Sequence, residues 1–121
     1  MSLVKRVLIT DDAMFMRLAL RTMLEKNGFE VVGEAENGAI AIEKYKTLKP
    51  DILTLDITMP VMDGLMALKQ IKAFDKSAKV IMVSAMGQEA IVREAVISGA
   101  LGFVIKPFNE ETIVKSFSKL L

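Results

Sequence analysis

The feature that most limits the fold of this chain is a set of four short apolar runs. Val7–Thr10, Ile52–Leu55, Val80–Val83 and Phe103–Ile105 do not alternate with polar residues. A strand with one wet face alternates; unbroken runs imply strands covered on both faces, the habit of parallel sheets. A fifth, weaker run, Glu30–Gly33, suits a sheet edge. Parallel neighbours need long crossovers, and the intervening segments read as helices. Met16, Leu20, Met23 and Leu24 fall at helical spacing, with Arg17, Arg21 and Glu25 elsewhere on the wheel and Gly28 as a stop. Asn37-Gly38 marks a turn before a helix over Ala39–Leu48, closed by Pro50. Leu65–Phe74, Gln88–Ser98 and Glu110–Leu120 complete the helices, with Gly99 after the fourth. The order βαβαβαβαβα predicts an α/β fold: a doubly wound, five-stranded parallel sheet with helices on both faces. With 121 residues and no linker, repeat or low-complexity segment, a single domain over 1–121 is expected. No apolar stretch is long enough to span a membrane and no signal peptide is visible, so a cytoplasmic location is expected.

Sites in open α/β sheets form beyond the carboxyl ends of the strands. Asp11 and Asp12 follow the first strand, Asp56 the third, Ser84 the fourth and Lys106 the fifth. In the flavodoxin-like order 2-1-3-4-5, strands one and three are neighbours and the three acids converge. Composition narrows what they can do. There is no cysteine and no histidine, which excludes disulfides, thiolate catalysis, a Ser-His-Asp triad and soft-ligand metal sites. Sixteen basic against 15 acidic residues, a net charge of +1, gives no case for direct nucleic-acid binding. Three carboxylates without imidazole or thiolate favour a hard divalent cation, most simply Mg²⁺. Lys106, two strands or ~10 Å from Asp56, is within reach of it. Three negative charges against Mg²⁺ and one ammonium sum to zero. The set suits phosphoryl transfer to Asp56: a carboxylate serves as nucleophile, cations stabilise the transferring oxygens, and Ser84 donates a hydrogen bond.

Each residue also has a plainer reading. One of Asp11 and Asp12 is a suitable N-cap for the first helix, though capping accounts for one acid and not two. Asp63-Gly64 reads as turn chemistry, with Gly64 supplying a backbone conformation that other residues resist. Ser84 and Lys106 alone are a loop hydroxyl and a solvated lysine, and Pro107 a helix-start proline. The nine methionines read mostly as core filler, with Met14, Met59, Met62 and Met86 as candidates for the mouth of the site. On the fourth helix, Ile91 and Ala95 form one apolar stripe and Val92 and Val96 a second. One stripe docks a helix. The second is either part of a broad buried face or a partner surface shared with Phe103 and the last helix.

The stretches "ITDD", "LTLDITMPVMDG", "VSAMG" and "VIKPF" resemble, in order and spacing, the motifs of two-component response-regulator receiver domains, over essentially the whole chain. "DDAMFMR", "DITMP", "SAMGQ" and "KPFN" are most similar to stand-alone chemotaxis members. The 2-1-3-4-5 order is the known order of this family and is carried by the resemblance, not by the hydrophobic pattern. The resemblance implies Asp56 as phosphoacceptor. It implies Mg²⁺ bound by Asp12, Asp56 and the Thr58 backbone carbonyl, with Asp11 acting through water. Lys106 and Ser84 would hold the phosphoryl group, and Lys106-Pro107 would be a cis peptide. Phe103 takes the switch position, where the family often has tyrosine. Thr58 and Met86 stand where phosphate lifetime is tuned, positions that hold an amide and an acid in the best-known chemotaxis member.

The implied function is a phosphorylation-activated switch, not a turnover enzyme, and a monomer. Its partners would be a histidine kinase, which supplies the missing histidine, and a flagellar-motor or other output protein met through helix 4, strand 5 and helix 5. The alternative is a receiver from a larger regulator with a DNA-binding or enzymatic output. Three other classes fail. "GEAENG" has phosphate-loop glycine spacing, but Ala39 and Ile40 follow where Lys and Ser/Thr are required. An acidic pair after the first strand would repel a flavin phosphate. Asp56-x-Thr58 breaks the Asp-x-Asp of haloacid-dehalogenase-type phosphatases.

Overall fold

The computed structural model describes residues 4–120; the outermost positions of the expected 1–121 domain lie outside the described residues. Five strands alternate with five helices: β1 (Arg6–Thr10), α1 (Met14–Lys26), β2 (Glu30–Ala35), α2 (Gly38–Leu48), β3 (Ile52–Leu55), α3 (Gly64–Phe74), β4 (Val80–Ser84), α4 (Glu89–Ile97), β5 (Gly102–Ile105) and α5 (Glu110–Ser118). The strands form one parallel sheet in the order β2-β1-β3-β4-β5. The expected fold class and strand order are those observed.

Alternation along each strand divides the core in two. Val7, Ile9, Ile52, Ile81, Val83 and Val104 point to one face, where Leu20 and Leu24 of α1 and Ile113 and Phe117 of α5 cover them. The Phe117 ring meets Phe29 edge-on, 5.4 Å between centroids. Leu8, Leu53, Leu55, Val80 and Met82 point to the other face, under Ala41, Leu68, Ile71 and Ala95 of α2, α3 and α4. Small residues at Ala41, Ala67 and Ala95 let those helices lie close to the sheet.

Helix ends follow the sequence signals. Gly28 and Gly99, just past α1 and α4, adopt φ of 87° and 109°, a region most residues avoid. Asn37, Asp63 and Asn109 cap α2, α3 and α5, accepting from the amides of Ile40, Met66 and Thr112.

Three expectations need correction. First, β5 is not covered on both faces: Ile105 is 50% exposed. The strand ends the sheet, and the helices pack over the sheet's centre. Second, β2 extends past Gly33 to Ala35, because Ala35 stays in register with Thr10 after a bulge between Val7 and Leu8. Third, the methionines fill the core largely from its margin, with Met23, Met62 and Met86 half-buried against it. Among the described residues only Met59 and Met82 are buried, while Met14 and Met66 lie exposed on α1 and α3.

Away from the carboxyl edge, the Tyr45 hydroxyl donates to Asp75 Oδ2 at 2.7 Å, and Ser77 donates to Oδ1 through both its amide and hydroxyl. Bonds from Ser77 and then Tyr45 hold the Asp75 carboxyl below its ordinary range. Burial and the same bond push the Tyr45 phenol up. A depressed carboxyl stabilises the fold above its unfolded pKa and loses that contribution as pH falls through its folded value. Tyr45→Phe is therefore expected to cost about 1 kcal/mol at neutral pH. That deficit narrows below about pH 4 as Asp75 protonates. Urea unfolding of both proteins across that range is the check, and a pH-independent difference would contradict the assignment.

Candidate functional site

The carboxyl ends of β1, β3, β4 and β5 bring the expected residues together. Asp11, Asp12 and Asp56 each present an oxygen within 4.8 Å of the others. Asp11 and Asp56 are buried, while Asp12 is exposed. Backbone bonds to neighbouring strands hold these ends in place: the Asp11 amide donates to the Ala35 carbonyl, and the Asp56 amide to the Thr10 carbonyl.

Lys106 spans the two strands from β5. Its ammonium donates to Asp11 Oδ2 at 2.6 Å and to Asp56 Oδ2 at 3.0 Å. The other carboxylate oxygens accept from backbone amides, Asp11 Oδ1 from Ala13 at 2.9 Å and Asp56 Oδ1 from Ile57 at 2.6 Å. The Asp11 bond turns the chain into α1, but α1's cap residue is Ala13, with no side-chain cap. Neither acid serves as the N-cap. The Lys106 amide donates to the Ser84 carbonyl, and Lys106-Pro107 is cis, as the resemblance implies.

Burial works against the charges here. Desolvation raises the Asp11 carboxyl above its ordinary range, despite bonds from Lys106 and the Ala13 amide; the Asp56 charge adds to the rise. Desolvation also opposes the Lys106 ammonium, but Asp11 and Asp56 outweigh it and hold its pKa up. Lys106 thus stays charged, yet one ammonium leaves three carboxylates short of compensation by two positive charges. An all-oxygen set with that deficit fits a hard divalent cation.

Ser84 is buried at the end of β4, and its hydroxyl accepts from the Met86 amide at 3.1 Å. The Thr58 hydroxyl donates to the Met86 sulfur at 2.9 Å, so the loops after β3 and β4 touch beside Asp56. Met62 is half-buried against the α2–α4 core and Met59 is buried. Among the methionines proposed for the mouth, Met86 is the one seen to contact a site residue. Phe103 is half-buried and packs on the α2–α4 core. On α4, Ala95 is buried and Ile91 packs on the core, whereas Val92 is half-buried and Val96 57% exposed. The first stripe docks the helix and the second reaches solvent, so the broad buried face is not what forms.

A scan against family models matches residues 7–118 to the response regulator receiver domain. The chain belongs to that family. Curated relatives of this receiver include the chemotaxis protein CheY of Bacillus subtilis and that of Thermotoga maritima. Each is 54% identical over 116 residues, covering 96% of this receiver and 97% of the relative. Among solved structures, a chain of the CheX–CheY–BeF3–Mg²⁺ complex from Borrelia burgdorferi matches with a TM-score of 0.94 and 40% identity. That match covers 96% of this receiver and 88% of the other chain. The receiver is therefore a two-component signalling domain whose near relatives are chemotaxis proteins.

One contributor, Arg17, has no mark in the sequence, and a second, Gly64, acts for a reason other than the one expected. Arg17 donates to the Asp11 carbonyl at 2.8 Å, yet reads on the helical wheel as an ordinary polar position. Gly64 does not supply an unusual backbone angle; its φ is not positive, and Asp63 before it is a helix cap. Its role is close approach. Its amide donates to the Ile57 carbonyl at 2.8 Å, and a Cβ there would overlap the Asp56 carbonyl oxygen. The positive φ in this loop falls on Val61, at 68°, inside a three-residue turn closed by the Met62 amide on the Pro60 carbonyl. Gly64→Ala is expected to lower stability by about 1–3 kcal/mol, or more if the backbone cannot yield. A denaturant midpoint equal to wild type would show that the loop moves aside freely.

Proposed function

We propose that this receiver is a phosphorylation-activated chemotaxis switch in which Asp56 accepts a phosphoryl group from the phosphohistidine of a histidine kinase. The observation that carries the reading is the under-compensated charge around Asp56: three carboxylates lie together, and the Lys106 ammonium bonds two of them, Asp11 and Asp56, the latter at 3.0 Å. Asp12, Asp56 and the Thr58 backbone carbonyl would hold Mg²⁺, with Asp11 acting through water. When bound, Mg²⁺ supplies the two missing positive charges and stabilises charge on the phosphoryl oxygens.

Asp56 attacks phosphorus through a carboxylate oxygen. The new O–P bond forms as the P–N bond of the donor breaks, and the imidazole keeps the bonding electron pair. Lys106 is already at hydrogen-bond distance from Asp56 and pairs with the developing phosphoryl charge. Ser84 exchanges its role as acceptor from the Met86 amide for donation to a phosphoryl oxygen. That exchange draws in the loop between β4 and α4. Its movement reaches α4 and Phe103 of β5, and so the solvent-facing side formed with Val92 and Val96. A flagellar-motor or other output protein would read the change there. The Borrelia burgdorferi relative was crystallised in a complex of CheX and CheY with BeF3 and Mg²⁺, which supports a receiver that is read by a second protein. Asp56 is consumed by the reaction and restored by hydrolysis, so the chain changes its own state and turns over no external substrate. On this reading it acts as a cytoplasmic monomer.

Incubation with acetyl phosphate and Mg²⁺ is expected to produce a labile phosphorylated species, lost with EDTA and absent in Asp56→Asn. Equal labelling of Asp56→Asn, or no labelling of wild type with several small donors, would overturn the reading.

A further inference from the structure

Arg17, one turn into α1, is held from two sides. Its Nε donates to Glu34 Oε1 at 2.8 Å, and its NH1 nitrogen donates to the Asp11 carbonyl oxygen at 2.8 Å. Glu34, on the edge strand β2, also accepts from Arg21 through Oε2, so one carboxylate fixes two guanidinium groups. The Arg17 side chain is only 13% exposed. An arginine this covered, with both ends of its planar fork engaged, is rigid.

What it holds is the peptide that joins the two acids. Every polar group of Asp11 is then engaged: the amide by Ala35, the carbonyl by Arg17, and the carboxylate oxygens by Ala13 and Lys106. Among the described residues no side chain donates to the Asp12 carboxylate, so its direction is set by its backbone. The Asp11 carbonyl belongs to the peptide plane from which Asp12 departs. We propose that Arg17, clamped by Glu34, is a positioning residue that fixes this plane and so aims Asp12 at the divalent cation. This rests on the Mg²⁺ reading above.

The charges separate this role from a purely electrostatic one. A guanidinium beside an acidic cation site repels the cation, so on Coulomb grounds alone removing Arg17 should tighten Mg²⁺ binding. Positioning predicts the opposite sign. Partners that orient metal ligands typically matter about 10–100-fold in affinity. Glu34, which Arg17 shares with Arg21, offsets part of that charge while holding the side chain.

The test is Mg²⁺ binding to the unphosphorylated full chain by calorimetry, with thermal unfolding in EDTA measured alongside. Wild type is expected to bind Mg²⁺, and failure to bind would sink the Mg²⁺ reading itself. Given wild-type binding, Arg17→Met is expected to weaken it at least about 10-fold. Arg17→Lys keeps a donor for the Asp11 carbonyl and is expected to recover part of the loss. Glu34→Asp, which shortens the clamp but keeps its charge and leaves Arg17 in place, is expected to weaken binding in a folded protein and serves if Arg17→Met fails to fold. Unchanged or tighter binding in folded Arg17→Met, or unchanged binding in Glu34→Asp should that variant alone fold, would overturn the proposal.

Discussion

The mutual repulsion of three carboxylates at one end of the sheet is the constraint to which the rest of the structure answers. Like charges within 4.8 Å of one another cost about 3 kcal/mol per pair at an effective dielectric near 20. Two of the three are also buried. Lys106 relieves part of this and cannot relieve all of it, since its single ammonium bonds Asp11 and Asp56 while three carboxylates share the site. The protein therefore keeps a centre of unresolved negative charge, which on the proposed reading a divalent cation and then a phosphoryl group would complete.

Holding that centre requires stiffness elsewhere. β1, β3 and β4 are the best-covered strands, with helices on both faces. Their carboxyl ends deliver Asp11, Asp56 and Ser84 from a core that cannot easily shift. The loops are constrained as well. The β3–α3 connection combines a positive φ at Val61 with a backbone contact at Gly64 that tolerates no side chain. Such concessions gather where function needs a fixed geometry, and the doubly covered sheet offsets them. The edges are different. β5 and the second stripe of α4 remain partly open, which suits a surface that another protein reads.

The architecture was largely legible because burial on both faces leaves a plain mark: unbroken apolar strands separated by segments of helical period. Asp11, Asp12, Asp56, Ser84 and Lys106 were legible for a related reason, since a parallel sheet delivers whatever follows its strands to one edge. The strand order itself came from the family resemblance, because runs of apolar residues do not say which strand neighbours which. What stayed hidden depends on distance between elements, not on pattern. Arg17 looks like any polar residue on a helix, and its meaning lies in a carbonyl six residues earlier and an acid on another strand. Gly64 was legible as special but for the wrong reason. A steric approach to Asp56 leaves no trace in local sequence, whereas Asp-Gly suggests a turn. Ile105 looked buried because a short edge strand can be as apolar as a central one.

The most direct measurement on the central claim is chemical mapping of the phosphoryl group. The protein is phosphorylated with acetyl phosphate and Mg²⁺, then reduced with borohydride, which converts an aspartyl phosphate to homoserine. Peptide mass spectrometry then locates the converted residue. The charge-centred account predicts homoserine at position 56 alone, and none when Mg²⁺ is chelated. Conversion at Asp11, at Asp12 or at an acid outside the cluster, or conversion at Asp56 that ignores chelation, would contradict it.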